Sequence, residues 1–262
     1  MCCMGLTHIS YSSVLLFLNN PAAFYSKYVL LQRDQLSTPA ALTGSAFHRY
    51  MEGLHKGIPR EQAKEVALAF MRSVTDVDWG KTGNIEQCMI KFNLLVEHYH
   101  REPPALGKIL GVESVFTEKI PGIKLPIKCV VDLIHEQDGS VVLCDWKTVS
   151  AYQDKPTPAQ VLQACFYYFV VQQAWKQTPV RFDIVQIKAT WNTDFHTKKR
   201  DGSPQIRTNS IDFLLQPFYL KGIKELAKRT VIQMTRKKQP FLPNLRDDYE
   251  GEAEFNRFLA IC

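Results

Sequence analysis

The chain is 262 residues long, 45% hydrophobic and 22% charged, the balance of a globular protein with a buried core. This excludes a mostly disordered, a collagen-like or a coiled-coil chain. The longest apolar run, 164–171, is far short of the roughly 20 residues that span a bilayer. Net charge is +6, which permits a polyanionic partner without requiring one.

No secretory or Arg-rich transit segment is readable: the first basic residue after His8 is Lys27 and the first Arg is Arg33. Seven cysteines, at 2, 3, 88, 129, 144, 165 and 262, form no CxxC pair. That spacing argues against a structural zinc site or a disulfide framework. It fits a reducing, cytoplasmic compartment.

In chain order, residues 10–31 read as helical, with Ser10, Ser12 or Ser13 as N-cap and a break at Pro21. Helices are expected over 44–54, 60–74 and 84–101, closed by Pro103 and Pro104. The pattern then changes to strands over 112–120, 125–135 and 141–148, divided by Pro-Gly at 121–122 and Asp-Gly at 138–139. A helix over 158–176, a strand over 181–191, a polar loop over 192–210 and a long basic helix over 212–238, broken at Pro217, complete the chain. The order predicts an α/β fold, a mixed central sheet flanked by helices. We expect one domain over 1–262: a helical N-terminal lobe (1–104), a catalytic sheet with its helix (105–195) and a basic C-terminal helical region (196–262).

The charge is uneven. Residues 196–240 hold eleven Lys or Arg against three acids, which suits either a solvated helix face or a nucleic-acid surface. The candidate DNA contacts are Lys198, Lys199 and Arg200 in the polar loop, and Lys228, Arg229, Lys237 and Lys238 in the basic helix. Trp79, Trp191 and Phe195 could stack on unpaired bases, although core packing is the default for each.

The most informative segment is IKCVVDLIHEQDGSVVLCDWKTVS at 127–150. Asp138-Gly139 is a two-residue hairpin signal. If those residues are the turn, Asp132 lies opposite Asp145, and Lys147 shares their face. Apolar neighbours imply burial, and two buried acids this close need a cation or an ion pair. A hard divalent ion, Mg²⁺ or Mn²⁺, suits oxygen ligands. A surface salt bridge from Lys147 is the plainer alternative.

Asp132-x12-Asp145-Trp146-Lys147 resembles the core of the PD-(D/E)XK nucleases, and VVDLI…VVLCDWKT resembles their RecB/RecE-like exonuclease branch. Three more strings fall in the branch's order: ISYSSVLLFLNNPAAFYSKY at 9–28, GSAFHRYMEG at 44–53 and QACFY at 163–167. The resemblance implies a restriction-endonuclease-like fold and a metal-dependent deoxyribonuclease. It implies Asp132, Asp145, the Trp146 carbonyl and His48 as metal ligands, with Glu113 or Glu118 as an additional acid. Lys147 would orient or activate water, and Gln163 and Tyr167, four apart on one helix face, would contact the scissile strand and support Lys147. Gln160 shares that face and ranks lower.

Two departures stand out. Cys129 replaces a frequent glycine before the first aspartate. Asn20 stands where cluster-bearing branches have a cysteine, so no iron–sulfur cluster is expected.

The function implied is hydrolysis from DNA ends, single-stranded or duplex, in recombination, replication or repair. The small size resembles viral or mobile-element nucleases, which would act in the host-cell cytoplasm. Implied partners are a single-strand-annealing, helicase or single-strand-binding protein, and no membrane. A structure-specific or restriction-like endonuclease is the alternative enzyme, and a non-catalytic nucleic-acid-binding module the alternative of another class.

Overall fold

The computed structural model describes residues 6–32, 36–81, 83–192, 200 and 202–235. Five helices come first: α1 (Tyr11–Asn19), α2 (Pro21–Tyr28), α3 (Pro39–His55), α4 (Arg60–Ser73) and α5 (Ile85–Arg101). Then follow β1 (Lys108–Glu118), β2 (Ile127–Gln137), β3 (Ser140–Val149), α6 (Pro158–Trp175), β4 (Arg181–Lys188), β5 (Ile206–Asp212) and α7 (Pro217–Met234).

Local chemistry sets the helix starts. Ser10 and Ser13 form a capping box on α1, and Asn20 caps α2 in front of Pro21. Helix α3 starts at Pro39 rather than near Gly44, because Thr38 caps it and Pro39 is preorganised for the first turn. Pro217 likewise opens α7 instead of breaking a longer helix.

The sheet is mixed, in the order β1-β2-β3-β4-β5. Only β3 and β4 pair in parallel, joined by α6; the other neighbours are antiparallel. The sequence predicted a loop over 192–210, but β5 occupies its end. Its outward residues are polar and mostly exposed, so backbone pairing to β4, not a buried stripe, holds it in place.

Two cores lie on the two faces. One joins α1, α2, α6 and α7 to the sheet, and the other joins α3, α4 and α5. The first five helices are therefore divided between the faces. Helix α6 is buried continuously from Val161 to Val171, as expected of a helix covered on all sides.

The β2–β3 hairpin has the predicted register, from Gln137↔Ser140 to Leu133↔Cys144. Regular pairing stops one position short of Asp132 and Asp145. There the alternation of faces breaks: Val131 packs in the α6-side core and Leu133 in the α3-side core. The same break occurs in β1, where Phe116 belongs to the first core and Val112 packs on the second. Between them Glu113 has φ +48°, a left-handed conformation that is uncommon outside glycine. β1 and β2 stay paired in one register across this kink, and β2–β3 pairing ends at the same level, beside the cluster of acids.

Candidate functional site

A cleft of about 820 Å³ lies over this cluster. Its floor is Glu113 from β1, Asp132 from β2, and Asp145, Trp146, Lys147 and Thr148 from β3. Its walls are His48 from α3, Tyr11 from α1, and Gln163 and Tyr167 from α6.

Trp146 fixes the floor. Its indole is buried and stacks on His55, and its backbone N–H donates to Asp132 Oδ2 at 2.9 Å. Its carbonyl lies 2.9 Å from His48 Nε2. A carbonyl can only accept, so Nε2 carries the proton and Nδ1 presents a lone pair. Nδ1 lies 3.3 Å from Asp132 Oδ2 and 4.0 Å from Glu113 Oε1. Ligand atoms of His48, Glu113 and Asp132 all fall within 4.8 Å of one another.

Such a cluster resists ionisation without a cation. Burial, reinforced by the Asp132 carboxylate, raises Glu113 to about 7. Burial, then the Asp145 carboxylate, raises Asp132 well above the ordinary aspartate range. Burial lowers His48, which keeps its imidazole neutral and able to ligate. One imidazole nitrogen with converging, under-compensated carboxylates fits a hard divalent ion.

Asp145 is engaged differently. Gln163 Nε2 donates to its Oδ1 at 2.5 Å and to the Tyr167 hydroxyl at 2.9 Å. Lys147 Nζ lies 2.6 Å from Oδ2 as an ion pair. Burial pulls the Lys147 ammonium down, but the Asp145 charge outweighs it, and the net shift is upward. Of the residues expected as ligands, His48, Glu113 and Asp132 thus converge directly. Asp145 lines the same cleft through its lysine and glutamine, and the Trp146 carbonyl faces His48.

Glu118 does not line the cleft, whereas Glu113 does. Gln160 closes a capping box with Thr157 at the start of α6. Tyr11, Arg49 and Glu52 also line the cleft and were not singled out from the sequence. Glu52 is one helical turn beyond His48, and Arg49 is its neighbour, so the α3 string held the signal.

Of the cations expected to meet DNA, the described ones, Arg200, Lys228 and Arg229, do not line this cleft. Lys228 and Arg229 on α7 pair with Glu225 at 3.6 and 2.8 Å. Arg200 lies over Trp191, 3.6 Å from the ring centroid. Trp79 packs on the α3-side core. Lys198, Lys199, Lys237, Lys238 and Phe195 are outside the described residues. Cys88, Cys129, Cys144 and Cys165 are free and buried. No described helix is long and apolar enough to cross a membrane.

A mixed sheet with clustered carboxylates, and a lysine two residues past one of them, is an arrangement that fits metal-dependent phosphodiester hydrolysis. A family model of the PD-(D/E)XK nuclease superfamily matches residues 8–253, and the chain belongs to that superfamily. Nucleases of this superfamily use divalent metals and act on DNA. The crystal structure of SSO0001 is similar over 92% of this chain and 93% of its own, at 14% identity and a TM-score of 0.33; at that level it adds no argument. Among curated proteins none matches.

Proposed function

We propose that the chain is a DNA exonuclease of the RecB/RecE-like branch, hydrolysing phosphodiester bonds from DNA ends in recombination, replication or repair. The observation that carries the reading is the approach of His48, on a helix far away in sequence, to Asp132 and Glu113. A D…DxK hairpin alone would serve any nuclease of the superfamily. The histidine-bearing helix, with Gln163 and Tyr167 behind Asp145, matches the strings that resemble this branch.

His48 Nδ1, Glu113 and Asp132 would hold the ion, Mg²⁺ or Mn²⁺, with Asp145 as a further oxygen on the family pattern; the Trp146 carbonyl, also expected there, is taken in this arrangement by His48 Nε2–H on the far side of the ring. The bound ion supplies Lewis acidity and makes hydroxide accessible near neutral pH. Lys147, kept protonated by Asp145, stabilises charge developing on the phosphate oxygens. Gln163 holds Asp145, and through it Lys147, in one orientation. Tyr167 buttresses Gln163 from the next turn of α6. This activity would belong in the cytoplasm, that of the host if the chain is viral.

End-labelled linear DNA and covalently closed circular DNA of the same sequence, incubated with Mg²⁺ or Mn²⁺, test the reading. Progressive loss of the linear substrate with the circle intact is expected. Cleavage of the closed circle at a comparable rate would make the protein an endonuclease. Neither product, with either metal, would remove the nuclease assignment.

A further inference from the structure

A second cleft, of about 520 Å³, is lined by Tyr152, Asn192, Pro204, Arg207 and Thr208. We infer that this cleft, with the adjoining Trp191, is a single-stranded DNA site that grips the substrate strand a few nucleotides from the scissile phosphate. The inference rests on the reading of the protein as a DNA nuclease and names a strand contact that this reading does not require.

Position comes first. Tyr152 is five residues beyond Lys147, so the two Cα atoms lie within about 18 Å of each other whatever path the chain takes. Thr148 of the first cleft pairs with Ile187 on β4, and the next pair, Val149↔Lys188, brings in Lys188. The connection carrying Tyr152 is pinned: Gln153 N–H donates to Gln186 Oε1 at 2.8 Å, and Gln186 Nε2 returns a bond to the Gln153 carbonyl at 3.0 Å.

The chemistry consists of two aromatic–cation stacks side by side. Arg207 lies 4.7 Å and Lys188 Nζ 5.5 Å from the Tyr152 ring centroid. Arg200 and Arg101 lie 3.6 and 4.4 Å from that of Trp191. The stacks share a frame. Lys188 Nζ donates to Asn192 Oδ1 at 2.5 Å, and Asn192 Nδ2 and the Tyr152 hydroxyl both donate to the Pro204 carbonyl, at 2.9 and 3.0 Å. His98 holds Trp191 from behind: its buried ring sits edge-on at 4.5 Å, and its Nδ1–H donates to the Lys188 carbonyl at 2.8 Å.

Acids neutralise part of this charge. Glu97 pairs with Arg101 and Asp154 with Arg207, and Glu102 accepts from the Gln205 N–H. Among the described residues no carboxylate pairs with Arg200 or Lys188. The net charge is therefore too small for purely electrostatic attraction to phosphates. What the site offers is planar: exposed guanidinium planes on aromatic rings, the surface on which an unpaired base stacks. Paired bases in a duplex present no free face, which selects the single strand.

The test uses the full chain with calcium in place of the catalytic ion and measures fluorescence anisotropy of labelled oligothymidylate. The Tyr152→Ala/Trp191→Ala variant should bind on the order of tenfold to a hundredfold more weakly, the range that base stacking supports. A blunt hairpin duplex should lose little affinity. Hydrolysis of bis(p-nitrophenyl) phosphate with Mn²⁺, a diester too small to bridge the clefts, should be unchanged. If the double variant loses that hydrolysis by misfolding, the exposed pair Arg200→Gln/Arg207→Gln takes its place, with the same loss expected for the oligomer. Unchanged oligothymidylate affinity beside intact diester hydrolysis would overturn the inference and leave the nuclease reading standing. Complete competition by dTMP would assign the cleft to a free nucleotide and overturn the strand reading. Absence of both activities in the wild type would overturn the nuclease reading, and the inference with it.

Discussion

The Trp146 carbonyl fixes the tautomer of His48. The 2.9 Å contact to Nε2 turns Nδ1 towards Asp132 Oδ2, 3.3 Å away, where a lone pair and a carboxylate face each other unfavourably unless a proton or a cation lies between them. The backbone of one metal-site strand thus prepares a ligand on a helix of the opposite layer. An outer partner of this kind typically changes metal affinity 10–100-fold, and the ligand itself should matter at least as much. His48→Ala should therefore raise the Mn²⁺ concentration needed for half-maximal cleavage by about 10–100-fold, with activity partly recovered at high Mn²⁺. An unchanged metal titration with a lowered Tm would make His48 a packing residue.

Glu113 adds a pH dependence with a definite sign. Its folded value is about 7, against an ordinary 4.5. A raised carboxylate means that the folded chain binds more protons than the unfolded chain between those values. Stability from this group is thus lost as pH rises through the window. Glu113→Gln should therefore gain stability relative to wild type as pH rises from about 4.5 to 8 in a chelator. Histidines lowered by burial, His48 and His55 among them, pull the raw curve the other way, so the difference between the two proteins is the quantity to measure by urea melts. Metal should reverse the effect and release protons as it binds near pH 6. A flat difference would mean that the Glu113 carboxylate is not under-compensated.

Much of this was legible in the sequence. Asp138-Gly139 set the hairpin register, and the order of strings brought His48, the hairpin and the α6 pair into one reading. The faces of β1 and β2 were not legible. Alternation assumes an unbroken pleat, and Glu113 at φ +48° is a local conformation that a glutamate does not advertise. Strand β5 was missed because an edge strand with polar outward residues needs no hydrophobic stripe. Arg49 and Glu52 stand in the same α3 string as His48, and Tyr11 in the string over 9–28, but a string of residue types does not tell which of its members line a cleft.

Lys147 and Gln163 share Asp145, one oxygen each. Lys147→Met should reduce kcat by about 10²–10³-fold, the range for removing one donor aimed at developing negative charge. It also leaves Asp145 Oδ2 buried without its cation. Lys147→Arg should not restore the rate, because a planar fork does not replace a compact ammonium. Gln163→Ala should cost less, and the double variant less than the sum, since both act through one carboxylate. Single-turnover rates at saturating metal measure all four variants. Strict additivity would separate Gln163 from the lysine.

Gly44 sets how closely α3 approaches β3. A Cβ there would lie 3.3 Å from Thr148 Oγ1, so Gly44→Val should push the helix outwards and carry His48 with it. The expected result is a folded protein with weaker Mn²⁺ binding. Thr148→Ala should recover part of that loss in the double variant by removing the obstructing hydroxyl. Weakened binding without recovery would trace the defect to the helix itself.

The basic face of α7 makes the last prediction. Lys228 and Arg229 are exposed, and both lean on Glu225, so part of their charge is already matched at the surface. If they track a DNA backbone, each phosphate contact adds about 0.7–0.9 to the slope of log affinity against log salt. Lys228→Gln/Arg229→Gln should flatten that slope by up to two contacts and weaken unrelated sequences alike. Glu225→Gln should do the opposite, since removing the acid frees both cations. Cleavage at saturating DNA should change little in either variant, because neither cation lines the metal cleft. Opposite shifts in salt slope from the two variants, measured in calcium, would tie the helix to the DNA path. Equal slopes in all three proteins would leave the face to solvent or to a protein partner.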